Sequence, residues 1–328
     1  MPVTNEQIIT YLGLPADTIT KLQTAQGSEF SAVANQFIES LVNKICYQMV
    51  EKMDFTNPFK KYDSYPVNYG DTIENVFTDL PKGYTFNKDA TDPFTKVVSD
   101  VKTLYATINY EMQYEQTIHD TLLRRATLNE YGFMNLINSL LSTLNTSRDV
   151  DEYFATIAML NNANIYANGF EDIEVSATIT DEEKADLLTH KIVDVVTDFA
   201  LPKKTNNKLQ VKNITPKNRS LLVIKQKLLN MINLDYLTGV FNLSKVDLLS
   251  NIIAVDSFKV ENESGVLVGE DLDFVILDEK GFDNHVALQD SGMIYNPKGK
   301  YTNHFVNLWK IISYKYYYNA RAFKFKGV

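Results

Sequence analysis

Four histidines are the first place to look for chemistry in this chain, because imidazole is the common general base and metal ligand near neutral pH. They stand at His119, His190, His285 and His304. No two are in a His-x-x-x-His or His-x-His spacing, so a histidine-built metal site is unsupported. His119 is followed by Asp120, the pairing of a base with its orienter. Adjacent residues on a strand point to opposite faces, which works against that use. Glu270, Asp271 and Asp273, with Asp278 and Glu279 nearby, could hold a divalent cation. They lack the EF-hand spacing and its glycine, and a solvated loop edge fits them better. Cys46, the one cysteine, lies in an apolar helical stripe with no visible cation to activate it, and reads as a small core residue. Gly-x-Ser-x-Gly, Gly-x-x-x-x-Gly-Lys-Ser/Thr and Gly-x-Gly-x-x-Gly are absent, and Gly265 and Gly269 read as the bounds of a hairpin. The aromatic and basic tail could stack single-stranded bases. A strand with a core face and a lysine-rich edge explains the same pattern more simply. No catalytic, cofactor-binding or metal-binding residue is assigned, and no cofactor is expected.

The totals agree. The chain has 328 residues, 45% of them hydrophobic, and a net charge of −9, which argues against an all-round nucleic-acid binder. A single cysteine excludes an internal disulfide. Without an apolar leader or a run of 18 apolar residues, the sequence predicts a soluble, non-secreted chain with no membrane partner. Charge comes in blocks: residues 171–198 and 261–290 are acidic, residues 201–227 and 291–328 basic. These blocks read either as solvated faces or as surfaces on which neighbouring copies meet.

The elements that must position any site are legible from periodicity. Residues 1–27 read as a tail with one short helix. A helix is predicted from about Glu29 to Met53, its stripe running Phe30, Val33, Phe37, Leu41, Ile45, Met49 and Met53. From Thr103 to Glu115 the sequence alternates strictly, which predicts one long half-buried strand of roughly 35–40 Å. Paired with segment 65–80 it would form a projecting two-stranded arm, marginal alone and in need of something to lie on. Helices are predicted at about Glu130–Asn145 and Val150–Asn164, with a capping box at Asp149 and Glu152 between them. Another follows from Asp181 to Ala200, with Thr180 and Glu183 as its box. Arg219–Phe258 reads as strand–helix–helix–strand, its helices at Gln226–Leu237 and Leu243–Asn251. Short strands are expected at Val266–Val268 and Leu272–Leu277, mostly loop over Gly281–Gly299, and strands over His304–Tyr318 and Asn319–Lys326.

Three stretches carry a family resemblance. Residues 220–258 end in Val255-Asp256-Ser257-Phe258. Residues 149–160 read Asp-Val-Asp-Glu-Tyr-Phe-Ala-Thr-Ile-Ala-Met-Leu. Residues 274–325 contain Val275-Ile276-Leu277-Asp278, Tyr295-Asn296-Pro297, Tyr301-Thr302-Asn303, Trp309, Ser313 and Asn319-Ala320-Arg321-Ala322-Phe323. In this order they resemble the major capsid proteins of tailed bacteriophages, over most of residues 30–326.

That resemblance implies an α+β, Hong Kong 97-like fold. Residues 1–54 would be an N-terminal arm and helix, 55–118 the extended loop lying across a neighbouring subunit, and 119–180 the peripheral domain with its spine helix. Residues 181–300 would be mostly the axial domain, and 301–328 C-terminal strands returning to the peripheral domain. It implies a non-enzymatic head subunit that self-assembles into hexamers and pentamers of an icosahedral shell in the virion, built in the host cytoplasm. Portal and scaffolding proteins would be its partners, and packaged double-stranded DNA would touch it non-specifically. No long N-terminal scaffolding segment and no lysine–asparagine cross-linking pair is recognisable. A cellular nanocompartment shell of the same fold is the nearer alternative. A soluble α+β enzyme or carbohydrate-binding module using the acidic edge is the more distant one.

Overall fold

The computed structural model describes residues 55–80, 99–120, 130–232 and 251–327, apart from positions 69, 177 and 263, with parts of 9–40 and positions 81, 83 and 85. Among the described residues the α-helices with both ends placed are α1 (Thr18–Thr24), α2 (Glu130–Leu160), α3 (Asp181–Phe199) and α4 (Gln226–Leu229). The strands before α3 are β1 (Ile73–Thr78), β2 (Val101–Ala106), β3 (Tyr110–His119) and β4 (Phe170–Val175). After α3 come β5 (Ser220–Lys225), β6 (Ile252–Val255), β7 (Val260–Glu261), β8 (Leu267–Val268), β9 (Phe274–Asp278), β10 (Phe282–Asn296), β11 (Tyr301–Tyr314) and β12 (Ala320–Gly327).

A mixed five-stranded sheet, in the order β4-β12-β9-β5-β6, holds the core. Its central strands do not alternate, because both faces are covered. Leu221, Val223, Val275 and Leu277 pack on Ile157, Leu160 and Tyr166. Leu222, Ile224, Phe274 and Ile276 pack on Leu188, Ile192, Val196 and Phe199 of α3 on the other face. The predicted box starts α3: the Glu183 N–H donates to Thr180 Oγ1 (3.3 Å) and the Thr180 N–H to the Glu183 carboxylate (3.0 Å). The two strands expected within Arg219–Phe258 are β5 and β6, and they pair side by side in parallel. A second, antiparallel sheet runs β10-β11-β3, with α2 packed against β3 and β11. Thr302, His304, Val306, Leu308 and Lys310 alternate into its buried face.

Several expectations change. The two predicted helices over 130–164 are one, 31 residues long and about 46 Å from end to end. No glycine or proline interrupts the stretch around Arg148, and Asp149 and Glu152 are buried in ion pairs instead of capping a helix start. The predicted long strand is two strands that part company at residues 107–109. There the Asn109 side chain donates to the Ile312 carbonyl (2.8 Å) and accepts from the Ile312 N–H (2.9 Å), replacing a backbone rung, so the chain leaves the arm and joins β11. The stretch expected to be mostly loop is β10, fifteen residues long. Its polar start, Asp283-Asn284-His285, hid it, because these residues are buried.

The expected tail does form strands, but they lie in different sheets, β11 beside α2 and β12 between β4 and β9. Of the helix predicted from Glu29, residues 32–37 are helical, with Ala34 and Phe37 buried. Residues 41–54, including Cys46, lie outside the described residues, as does nearly all of the predicted helix Leu243–Asn251.

Candidate functional site

The groups first considered for chemistry are dispersed. His119 is exposed on β3 with its ring edge-on to Tyr301, while the Asp120 carboxylate accepts from the Tyr295 hydroxyl at 3.2 Å. The two therefore do not act as base and orienter. His190 sits on the outer face of α3. In the acidic edge, Asp271 and Asp273 both hold the Lys225 ammonium, at 2.8 and 3.1 Å. Burial pushes that ammonium down, but the two carboxylates outweigh it and leave it above its usual value. Glu270 pairs with Lys324 at 3.1 Å. Among the described residues no group of three or more His, Cys, Asp or Glu could hold a metal ion. Gly265, at φ +72, lies in the turn between β7 and β8, and Gly269, at φ +105, follows β8, so the two flank one strand of a hairpin and do not bound it.

Two buried polar hubs hold the body together instead. In the first, Lys310 of β11, 3% exposed, reaches Asp63 at 2.8 Å and Glu152 of α2 at 2.9 Å. Asp149 takes Lys60 at 3.1 Å and Arg148 at 3.5 Å, so three cations face three carboxylates. Burial pushes the Lys310 ammonium down, yet Glu152 and Asp63 more than reverse this and hold it above the ordinary lysine value. This hub ties α2 and β11 to the segment that leads into the arm. In the second, the Asp278 carboxylate, fully buried at the end of β9, accepts from Arg219 Nε (2.8 Å) and Nη2 (2.6 Å) and from Thr215 (2.7 Å). Asn319 donates to Thr215 at 3.2 Å, and the Tyr314 hydroxyl accepts from the Asp278 N–H at 3.2 Å. Asp278, which the sequence places near a possible cation cluster, is instead taken by Arg219 and Thr215, and sequence reading assigns no role to Asn319 or Lys310. The signal for Lys310 was a lone lysine on the buried side of an alternating strand.

The arm is the antiparallel pair β1–β2, with Ile73 opposite Ala106 and Thr78 opposite Val101. One face rests on its own chain: Phe77 stacks on Tyr317 (centroids 5.0 Å apart), Asn75 donates to the Asp283 carboxylate, and Asp79 meets Lys204 at 3.3 Å. The root of the arm is therefore supported by the subunit it belongs to, which the sequence did not anticipate. The other face carries Glu74, Val76, Thr78, Val101, Thr103 and Tyr105, with Val76 56% and Tyr105 68% exposed. The charge blocks also meet in part within one chain, in Lys203–Asp198, Arg219–Asp278, Lys225–Asp271, Lys315–Asp283, Arg321–Glu171 and Lys326–Asp172. No helix among the described residues is long and apolar enough to cross a membrane.

Comparison with known proteins gives this architecture its setting. Residues 14–324 match the profile of a family described as Phi29-like phage major capsid protein. The major capsid protein of Bacillus phage B103 is 28% identical over 296 residues, covering 89% of this chain and 64% of that protein. The chain thus spans just under two thirds of that relative. The major capsid protein of Streptococcus phage Cp-1 is 25% identical, covering 86% of this chain and 80% of its own. Among solved structures, the capsid of Staphylococcus phage Andhra superposes with a TM-score of 0.66 at 11% identity, covering 85% of this chain and 88% of that one. The mature capsid of bacteriophage PhiM1 gives 0.58 at 8% identity, covering 86% and 90%. These likenesses bear out the expected Hong Kong 97-like capsid fold.

Proposed function

Since the chain belongs to the Phi29-like phage major capsid protein family, we propose that it is the repeating subunit of an icosahedral head shell that encloses double-stranded DNA. The match across residues 14–324 carries this reading. Residues 1–54 serve as the N-terminal arm and helix, and the spine of the peripheral domain, which spans residues 119–180, is α2. Residues 181–300 are mostly axial domain. Within 55–118, the extended loop proper is β1–β2 and its tip. Within 301–328, β11 runs with the spine and β12 lies between β4 and β9. The subunit works mechanically, through many weak contacts repeated by symmetry. Portal, scaffold and packaged DNA are its partners, and assembly takes place in the host cytoplasm.

The exposed outer face of the arm is the contact offered to a neighbouring copy, because an apolar strand face open to water gains stability when covered. The test is negative-stain microscopy with light scattering on the wild-type chain and on a Val76→Glu/Tyr105→Glu variant. The expected result is capsomers, sheets or shells from the wild type, and a folded chain that fails to assemble from the variant. Normal shells from the variant would remove the arm from the interface. A wild-type monomer under every condition, with scaffold and crowding agents supplied, would overturn the shell reading. The family matched is a phage capsid family, which places the nanocompartment alternative behind. Ion pairing of the acidic edge to Lys225 and Lys324 likewise weakens the enzyme or carbohydrate-binding alternative.

A further inference from the structure

Both ends of the chain segment that roots the arm converge on one buried pair, His285 and Asp283 of β10, each 2% exposed. At the near end, His285 Nδ1 lies 2.8 Å from the Tyr65 carbonyl oxygen. Its Nε2 lies 3.1 Å from Asp283 Oδ1. A carbonyl only accepts, and so does an ionised carboxylate, so both contacts are hydrogen bonds only if one extra proton is present. Asp283 already accepts from Asn75 of β1, and Lys315 Nζ stands 3.0 Å from its Oδ1. Asp283 is thus ringed by donors and acts as an acceptor, so the hydrogen that each of the two imidazole contacts needs comes from the ring. At the same place the backbone of residues 63–67 is laid along β10, the Ser64 N–H donating to the Asn284 carbonyl at 2.8 Å and the Val67 N–H to the Val286 carbonyl at 2.9 Å.

We infer that His285 is a proton-dependent clasp: doubly protonated, it pins Tyr65 and, through Asp283, Asn75, and on losing a proton to solvent it lets go of one side and loosens the root of the arm. A neutral imidazole has one N–H, so it can serve the Tyr65 carbonyl or the Asp283 carboxylate but not both. The charged and titratable groups around it are Asp283 on its own strand, Lys315 after β11, Tyr65 with its ring edge-on to the imidazole at 4.7 Å, and Tyr317 beneath Phe77. Asp63, bridged to Asn284, spends its own carboxylate on Lys310. Lys315 keeps Asp283 compensated when the imidazole is neutral. Loss of the proton therefore frees the arm root without leaving a bare buried charge. The clasp is a property of the single chain and does not depend on shells forming.

The test uses the unassembled full-length chain in two measurements, from about pH 5.5 to about 8.5, the range over which histidine changes charge. The first follows the ring nitrogens of His285 by nitrogen-15 NMR in the wild type. The second follows amide exchange of residues 64–78 in the wild type relative to a His285→Gln variant at each pH, which cancels the intrinsic pH dependence. The expected result is a doubly protonated ring at the acid end that becomes singly protonated, while the relative protection of the arm root falls about tenfold. A ring that stays neutral throughout, a ring still doubly protonated at the alkaline end, or a protection ratio that does not change with pH would each overturn the clasp. The NMR measurement needs only the wild type and so decides the question even if the variant folds poorly.

Discussion

Replacing Lys310 by methionine keeps most of its length and removes its charge, which isolates the electrostatic part of the first hub. The side chain is 3% exposed and touches two carboxylates, at 2.8 and 2.9 Å. Without it, Asp63, Asp149 and Glu152 face only Lys60 and Arg148, and a buried negative charge is left uncompensated. Breaking a buried pair from one side costs about 3–5 kcal/mol. With a slope of roughly 3 kcal/mol per molar urea for a chain of this size, the unfolding midpoint should fall by about 1–1.7 M. A Lys310→Met/Glu152→Gln double variant restores charge balance and should lose less than the sum of the single losses, by about 1–2 kcal/mol. The sign with pH follows from the raised value of the ammonium: its contribution is present below the ordinary 10.5 and is lost as pH rises through the higher folded value. Urea titrations of the unassembled chain, read by both fluorescence and circular dichroism, measure all three. A midpoint shift below about 0.3 M, or full additivity in the double variant, would show that the six charged groups do not act as one buried network.

Burial holds His304 down at about 4, against 6.5 when unfolded, so its contribution to stability is intact above 6.5 and drains away as pH falls toward 4. Between neutral pH and about 4.5 the wild type should lose about 2–3 kcal/mol more than a His304→Leu variant; equal losses in urea titrations at the two pH values would refute this. A Cβ at Gly281 would run into the Tyr314 ring, so Gly281→Ala should cost at least about 2–3 kcal/mol and disturb the Asp278 hub, read as a fall in melting temperature. Because several charges of the acidic and basic blocks are already paired within one chain, shell yield by light scattering should change less than about twofold between low and high salt; a collapse of yield would return those charges to the interface between copies.

Much of the fold could be read from periodicity, and the failures have physical causes. Where one face or one stripe is buried, as in α3 and β11, apolar spacing alone located the element. Where both faces are buried, as in β5 and β9, unbroken apolar runs gave strands and their order but not their neighbours. The errors fell where polar residues are buried with partners far away in sequence. Asp149 and Glu152 imitate a helix start because their cations come from elsewhere: Lys60 lies 89 residues from Asp149, and Lys310 158 residues from Glu152. Asp283, Asn284 and His285 imitate a loop for the same reason, and Asn109 imitates one more strand residue while marking the place where a strand ends. The surface of the arm was legible as an exposed alternating face. Its support by Tyr317 and Asp283 was not, because no local pattern encodes a contact of more than 200 residues' separation.

The placement of β11 and β12 has a consequence for the order of events during synthesis. Strand β11 is the middle strand of its sheet, and β12 lies between β4 and β9, yet all their partner strands come earlier in the chain. While the ribosome is still making those partners, neither sheet has its interior strand, and β3, β4, β9 and β10 each present a bare edge. Such edges are the groups through which nascent chains aggregate, and pairing over long sequence separation is slow to repair them. The same timing delays completion of the subunit until β12 has been made, so a half-made chain has no finished surface with which to join a growing lattice.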